Sequence, residues 1–248
     1  MQYSTFSDEH VRTLTETINR KGYAVLPNWA SNEELAQLRA LVDTTVAEAG
    51  NNYVALSGRQ AVKGTLLHDW GTSPVFIDLC KRVVTAATGR QSEEPGLHQV
   101  LRCLTGAGGR RESLIFHYDS YVLTTIMPVC LPEKGAKGDL LMLPNKRPLR
   151  SHYTRNLLDK VLVDNRWVQD RLAKGYAAKA TRFTQVPMNP GDMYLFWGYR
   201  SLHTNLPGDP EGVRATAVFH YDNVHGSSSL ASRVRQMFKP AKPERTLA

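Results

Sequence analysis

A histidine and an aspartate two residues apart, in Phe116-His117-Tyr118-Asp119, stand at the end of an apolar run near the middle of the chain. On an extended strand successive side chains alternate faces, so the imidazole and the carboxylate point to one side and make half of a metal site. His203 follows Tyr194-Leu195-Phe196-Trp197, another strand-like run, and Arg214 comes in the next one. Two imidazoles and one carboxylate on one face of an ion, with the opposite positions open, are the ligand set with which non-haem Fe(II) does oxygen chemistry. His117 and His203 would each give a neutral ring nitrogen, and Asp119 an anionic oxygen.

A second pair of the same spacing, His220-Tyr221-Asp222, competes for the role. The only nearby imidazole downstream of it is His225, and no Arg-x-Thr follows, so no complete set can be assembled there. His220 shares a strand face with Arg214, Thr216 and Val218, which puts it on the inner side of the last strand or at the end of the core. Other histidines carry weaker signals. His10 sits on a surface helix, His98 opens a strand, His68 and Asp69 are adjacent, and His152 precedes a helical stretch.

The scaffold that must hold these residues changes character near residue 95. Before it, the chain reads as helical support. Ser7-Asp8-Glu9 opens a helix carrying Val11, Leu14 and Ile18, with Gly22 past its end. Tyr23 to Pro27 reads as a short strand. Ser31 with Glu34 is a capping box for a helix striped with Leu35, Leu38, Leu41, Val42 and Val46. Residues 51–71 show little pattern and read as a connection. Ser73-Pro74 starts a further helix, with Phe76, Leu79, Val83 and Val84 on its apolar face and Gly89 at its end.

From 96 to 225 the chain breaks into short β-rich runs, at 98–104, 113–119, 121–129, 139–143, 183–186, 193–197 and 214–221. Seven or eight such strands fit an α+β fold with a double-stranded β-helix, the jelly-roll core of the cupins. The exception is 156–180, where Leu157, Leu158, Val161, Leu162, Trp167, Val168 and Leu172 predict a helical insertion broken near Asp164-Asn165. Such an insertion either covers the mouth of the barrel or packs outside it. A basic tail occupies 226–248, and the whole chain, 1–248, is expected to be a single domain.

Composition sets the class. Hydrophobic residues make up 42% and charged residues 22% of the 248, and no apolar run approaches the ~20 residues needed to cross a bilayer. The first residues lack the basic and apolar segments of a secretory signal, so a cytoplasmic location is expected. Cys80, Cys103 and Cys130 are odd in number, form no CxxC pair, and suit buried thiols in a reducing compartment. The formal net charge of +8 comes from scattered residues apart from the tail, which fits a basic surface or an anionic small substrate.

The ordered set His117-x-Asp119, His203 and Arg214, with Gly138-Asp139-Leu140-Leu141-Met142-Leu143-Pro144 between, resembles the Fe(II)/2-oxoglutarate dioxygenase superfamily. Lys21-Gly22-Tyr23-Ala24-Val25-Leu26-Pro27, followed by Ser31 and Glu33-Glu34-Leu35, is similar to the opening of its phytanoyl-CoA dioxygenase-like branch. The resemblance implies Fe(II), 2-oxoglutarate and O2 as cofactor and cosubstrates. It implies that Arg214 forks onto the distal carboxylate of 2-oxoglutarate, where Lys would be only a point charge, and that Thr216 adds a hydroxyl donor. The implied reaction couples oxidative decarboxylation of 2-oxoglutarate to oxidation of a substrate C–H bond, hydroxylation first, with desaturation and ring formation as other outcomes. Halogenating members carry a small residue in place of Asp119, so halogenation is disfavoured. Position 220 is His where the branch acting on alkylated bases has a second Arg, which disfavours a nucleic-acid substrate.

Substrate contacts rest on strand parity alone. Tyr121 continues the side of His117 and Asp119, Trp197 and Arg200 lie just before His203, and Arg102 lies on the first barrel strand as an anion contact, as do Arg147 and Arg150 further on. The substrate would be a small or medium organic molecule, anionic or amphipathic, of natural-product or amino-acid origin. Two other readings stay open: a cupin-type metalloenzyme that does not use 2-oxoglutarate, and a jelly-roll binding module without catalysis.

Overall fold

The structure is a computed structural model and describes residues 3–92, 94–150, 153–179 and 182–226. His152 and all of the basic tail beyond Gly226 lie outside the described residues. Local signals set the N-terminal elements. Helix α1 (Asp8–Lys21) starts where the Ser7 hydroxyl accepts from His10 N–H, and ends at Gly22, whose φ of 94° lets its N–H reach Ile18 O at 2.9 Å. Strand β1 (Tyr23–Leu26) leads to α2 (Asn32–Glu48), whose capping box pairs Ser31 with Glu34 in both directions. Then follow β2 (Val54–Ser57), α3 (Leu66–Thr72) and α4 (Pro74–Thr88).

The second half supplies β3 (His98–Leu104), α5 (Gly106–Arg111), β4 (Tyr121–Cys130), β5 (Leu140–Leu143), α6 (Tyr153–Asp164), α7 (Arg166–Ala177), β6 (Thr184–Val186), β7 (Met193–Phe196), β8 (Leu202–Asn205) and β9 (Arg214–Asn223). The strands form two antiparallel sheets, one ordered β1-β7-β4-β9-β3-β2 and one ordered β6-β5-β8. Together they make the expected jelly-roll core.

Strand β9 shows how the layers are built. Its odd residues Ala215, Ala217, Phe219 and Tyr221 join the core shared with α1, α2 and α4, through Val11, Ile18, Val42, Phe76 and Val83. Its even residues Arg214, Thr216, Val218 and His220 line a cavity between the two sheets. A smaller cluster of Ile126, Leu140, Met142, Tyr194, Phe196 and Val218 fills the space between the sheets. Outside the small sheet, α7 is held by Leu172 against Phe116, Leu141, Leu143 and Leu202.

The helical insertion therefore packs outside the barrel along α7, while α6 reaches toward the mouth through a hydrogen bond from Lys160 Nζ to Ser120 Oγ at 2.7 Å. Several apolar residues of its sequence stripe stay more than half exposed, namely Leu158, Val161, Leu162 and Trp167.

Four local departures from the sequence reading have physical causes. Residues 113–119 do not form a continuous strand, because Leu114 takes a left-handed φ of 57° and the segment meets β8 at separate points, Leu114 N–H to Asn205 O and the bridge between His117 and His203. Gly106 to Arg111 winds into a short helix, allowed by the close approach of Gly109 to the Leu104 backbone, where a Cβ would come within 2.9 Å. Residues 51–71, read as a connection, hold β2 and α3. Strand β8 carries the polar sequence Leu-His-Thr-Asn yet is buried throughout. No helix among the described residues is long and apolar enough to cross a membrane.

Candidate metal centre

Backbone pairing brings the two halves of the site together. His117 and His203 are direct partners in an antiparallel bridge, N–H to O at 2.9 Å one way and 3.1 Å the other, and their rings lie 4.4 Å apart. Two residues on, Asp119 N–H donates to Gly198 O at 3.0 Å. This brings Asp119 against the turn between β7 and β8, and only glycine fits there. A Cβ on Gly198 would overlap both Asp119 Oδ2 and Thr124 Oγ1.

The three side chains then converge. Asp119 Oδ1 is 3.7 Å from His117 Nε2, Asp119 Oδ2 is 3.5 Å from His203 Nε2, and one ligand atom from each residue lies within 4.8 Å of the others. Each imidazole is oriented the same way: His117 Nδ1 faces Ile115 O at 3.0 Å and His203 Nδ1 faces Ser201 O at 3.0 Å. A carbonyl only accepts, so both Nδ1 atoms carry the proton and both Nε2 lone pairs point at the shared centre.

Charge agrees with that assignment. Burial pushes His203 down to about 4, against the pull of Asp119, so its ring is neutral near pH 7. Burial would raise the Asp119 carboxyl, but the histidines around it and the Thr124 hydroxyl outweigh that and hold it well below the usual carboxylate range. Thr124 Oγ1 donates to Asp119 Oδ2 at 2.5 Å and lies 3.1 Å from His220 Nδ1. Since the hydroxyl proton goes to the carboxylate, His220 must donate to Thr124. His220 in turn stacks on Tyr121, at 4.9 Å, and Tyr121 on His98, at 5.7 Å.

The cavity beside this centre has a volume of about 150 Å3. Strand register orders its wall: His220 pairs with Thr124 beside the carboxylate, then Val218 with Ile126, and Thr216 and Arg214 follow away from the centre, opposite Arg102 and Leu104. Arg214 is 4% exposed. Its only side-chain hydrogen bond among the described residues runs from Nε to Gly138 O at 2.6 Å, so its terminal amino groups stay available. Gly138 is required twice over, by its φ of 75° and because a Cβ would sit 2.6 Å from Arg214 Cδ.

Arg102 lies beside it, donating to Asn205 Oδ1 at 3.2 Å and to Glu112 O at 3.0 Å. Burial, then Arg102, push Arg214 down to about 10, opposed by Asp139. A buried guanidinium without a carboxylate on it is costly, and an anion entering the cavity would relieve that cost.

The structure thus brings His117, Asp119, His203, Arg214, Thr216 and Arg102 around one cavity. Arg102 stands at the Arg214 end, and Tyr121 at the opposite end in the ring stack. Trp197 is fully buried in the core shared with the helices, its indole N–H donating to Asn19 Oδ1 at 2.9 Å, so it does not reach the cavity. Arg200 is half-buried, with Nε 3.4 Å from Arg147 O. Arg147 is buried between the rings of Tyr118 and Tyr199, and with Arg150 it grips Asp159 of α6 at 3.0 and 2.8 Å. Sequence reasoning missed Thr124, Gly138 and Gly198. Gly138 stood in the stretch that carries the family resemblance but without a role, and Thr124 left a trace as half of a Thr-Thr pair in the middle of β4.

At the level of sequence, no family model and no curated protein matches the chain. The fold does match solved structures. A prolyl 4-hydroxylase from Phytophthora capsici superposes with a TM-score of 0.53 at 13% identity, covering 92% of this chain and 70% of that one. The epimerase SnoN, in complex with Fe3+, alpha ketoglutarate and nogalamycin RO, gives 0.52 at 12% identity over 87% and 85%. EvdO2 from Micromonospora carbonacea var. aurantiaca, complexed with 2-oxoglutarate, gives 0.50 at 17% over 84% and 89%. The chain has the jelly-roll fold of the iron and 2-oxoglutarate oxygenases.

Proposed function

We propose that the protein is an Fe(II)- and 2-oxoglutarate-dependent oxygenase that oxidises a C–H bond of a small or medium organic molecule, hydroxylation being the simplest outcome. One observation carries the reading: a two-histidine, one-carboxylate set with both Nε2 lone pairs presented, and a buried arginine that makes no ion pair among the described residues, face the same cavity. The donor set suits Fe(II), and the guanidinium suits the far carboxylate of a dicarboxylate anchored at the metal.

When bound, the iron and 2-oxoglutarate supply the oxidising power, with O2 consumed and succinate and CO2 released. The chain's own residues do the positioning. His117, His203 and Asp119 would hold the metal, with their orientation set by Ile115 O, Ser201 O and Thr124. Arg214, braced on Gly138 and flanked by Thr216, would hold 2-oxoglutarate, and Arg102 would contribute positive charge beside it. The apolar wall of Val100, Ile126, Leu140 and Val218 excludes water between the two ends. Tyr121 stands toward the substrate side of the centre. Arg200, held by the Arg147 carbonyl, serves the segment that carries His203. All of 1–248 is read as one oxygenase domain, with α1, α2 and α4 as the backing of the large sheet.

The test is an anaerobic titration of metal-free protein with Fe(II) and 2-oxoglutarate, following the visible charge-transfer band of the chelate. The band is expected in the wild type, absent in His117→Ala, and shifted to higher 2-oxoglutarate in Arg214→Ala. Iron binding without a band would point to a metalloenzyme that does not use 2-oxoglutarate, and absence of iron binding to a binding module.

A further inference from the structure

Beside the metal set, on the side away from Arg214, α6 closes over a small polar pocket of about 80 Å3. Its lining includes Ser120, the residue after Asp119, with Asn156 and Lys160 of α6, Asn223 at the end of β9 and His225 just beyond it. Lys160 bonds Ser120, and Asn223 Oδ1 accepts from His225 N–H at 3.3 Å, but other polar atoms of the lining are left over. Asn156 is 2% exposed, yet its side chain makes no hydrogen bond among the described residues, and its Oδ1 is fully buried without a partner. Lys160 forms no ion pair among the described residues and gives one hydrogen bond, to Ser120 Oγ at 2.7 Å, which leaves two of its three donors unused.

Among the described residues the ammonium has no carboxylate in ion-pair contact and the carboxamide has no hydrogen bond, and groups buried in that state are costly. Both are fixed in place. Asp159, next to Lys160, is clamped by Arg147 and Arg150, so α6 cannot drift outward without breaking that clamp.

The pocket also leads somewhere. Asn223 belongs both to its wall and to that of a wider, open cleft of about 390 Å3, where Tyr121, His98 and His220 present their stacked rings. His220 in turn lines the metal cavity. A molecule with its head under α6 would therefore pass Asn223 and lay its body along the rings, which reach the metal cavity at His220.

We infer that this pocket seats the head group of the oxidised substrate, and that the head is a carboxylate with an adjacent N–H or O–H donor, as in a free α-amino or α-hydroxy acid. Lys160 takes the carboxylate, and the Asn156 carbonyl takes the neighbouring donor. The inference rests on the oxygenase reading for what happens to the substrate, but not for where it binds.

The experiment measures binding, so its outcome is separable from that reading. The proteinogenic L-amino acids and their α-hydroxy analogues, each beside its carboxamide, are titrated calorimetrically into two preparations: metal-free protein, and protein loaded anaerobically with Fe(II) and 2-oxoglutarate. Binding of at least one acid, with its amide bound about 10- to 100-fold more weakly, is expected in the loaded protein. Lys160→Gln is expected to bring the acid down to the level of the amide while leaving the 2-oxoglutarate titration unchanged. Asn156→Leu is expected to weaken the acid while the melting temperature holds or rises, because an unpartnered buried amide has been replaced by an apolar side chain of similar size.

Equal binding of acid and amide, wild-type affinity in Lys160→Gln, or no binding by any member overturns the inference. A melting temperature that falls in Asn156→Leu makes Asn156 a structural residue and also overturns it. Loss of the charge-transfer band with acid binding intact would instead refute the oxygenase reading and leave the pocket standing.

Discussion

Gly198 is in direct contact with Asp119: its carbonyl accepts the Asp119 N–H at 3.0 Å, and a methyl group on its Cα would occupy the place of Asp119 Oδ2. The glycine has no unusual backbone angle to explain it, so the constraint comes from the carboxylate and from the Thr124 hydroxyl bonded to it. Gly198→Ala is expected to push Asp119 and Thr124 apart and to weaken Fe(II) binding by about 10-fold or more, with circular dichroism unchanged. An anaerobic iron titration decides it. Wild-type affinity would mean that Asp119 is not a ligand.

Thr124 links Asp119 to His220, giving a proton to one and taking one from the other. Thr124→Val keeps the shape and removes both bonds, and is expected to lower metal affinity about 10- to 100-fold. Thr124→Ser, which keeps the hydroxyl, should recover most of it. Equal losses in the two variants would assign the effect to packing.

Arg214 and Gly138 should behave as one unit toward 2-oxoglutarate. Arg214→Lys loses the fork and is expected to raise the KM for 2-oxoglutarate by about 10- to 100-fold. Gly138→Ala leaves the arginine in the sequence but presses on its Cδ and strains a φ of 75°, so it should raise the same KM while leaving Fe(II) binding unaltered. Succinate release at varied 2-oxoglutarate measures both.

Asp159 ties α6 to Arg147 and Arg150, and its acid dependence has a definite sign. Burial tends to raise its carboxyl, but the hydrogen bonds from Arg150 and Arg147 outweigh that and hold it below its ordinary value. A lowered folded-state value means the contribution is complete above the unfolded value near ~3.9 and disappears as the pH falls through the folded one. The melting-temperature difference between wild type and Asp159→Asn should therefore be constant from about pH 5 to 8 and shrink below ~4. A difference that grew on acidification would contradict the clamp.

The residues of the candidate site were easier to pick out in the sequence than the geometry that assembles them. His117, Asp119, His203 and Arg214 were legible because their order and the spacing of the first pair match a known ligand set, and β9 was legible because its residues alternate between two faces. The same reasoning erred in placing His117 and Asp119 on a strand. They point together because one backbone bridge to His203 and one hydrogen bond to Gly198 keep the segment extended after the left-handed Leu114. Strand β8 escaped notice because both of its faces are covered, so Leu202, His203, Thr204 and Asn205 are all buried and no polar-apolar rhythm remains. Gly138 and Gly198 looked like ordinary turn residues. Their reason lies with Arg214 and Asp119, 76 and 79 positions away along the chain, as only the fold reveals.

The two-sidedness of β9 has a consequence for how the chain can change. Inserting or deleting one residue within Arg214–Asn223 would exchange the faces, turning Phe219 and Tyr221 into the cavity and driving a guanidinium and an imidazole into the helical core. Substitution at one position damages either the fold or the site, but a shift in length damages both at once. Variation in length is thus barred from this strand and can accumulate only in loops that no register passes through.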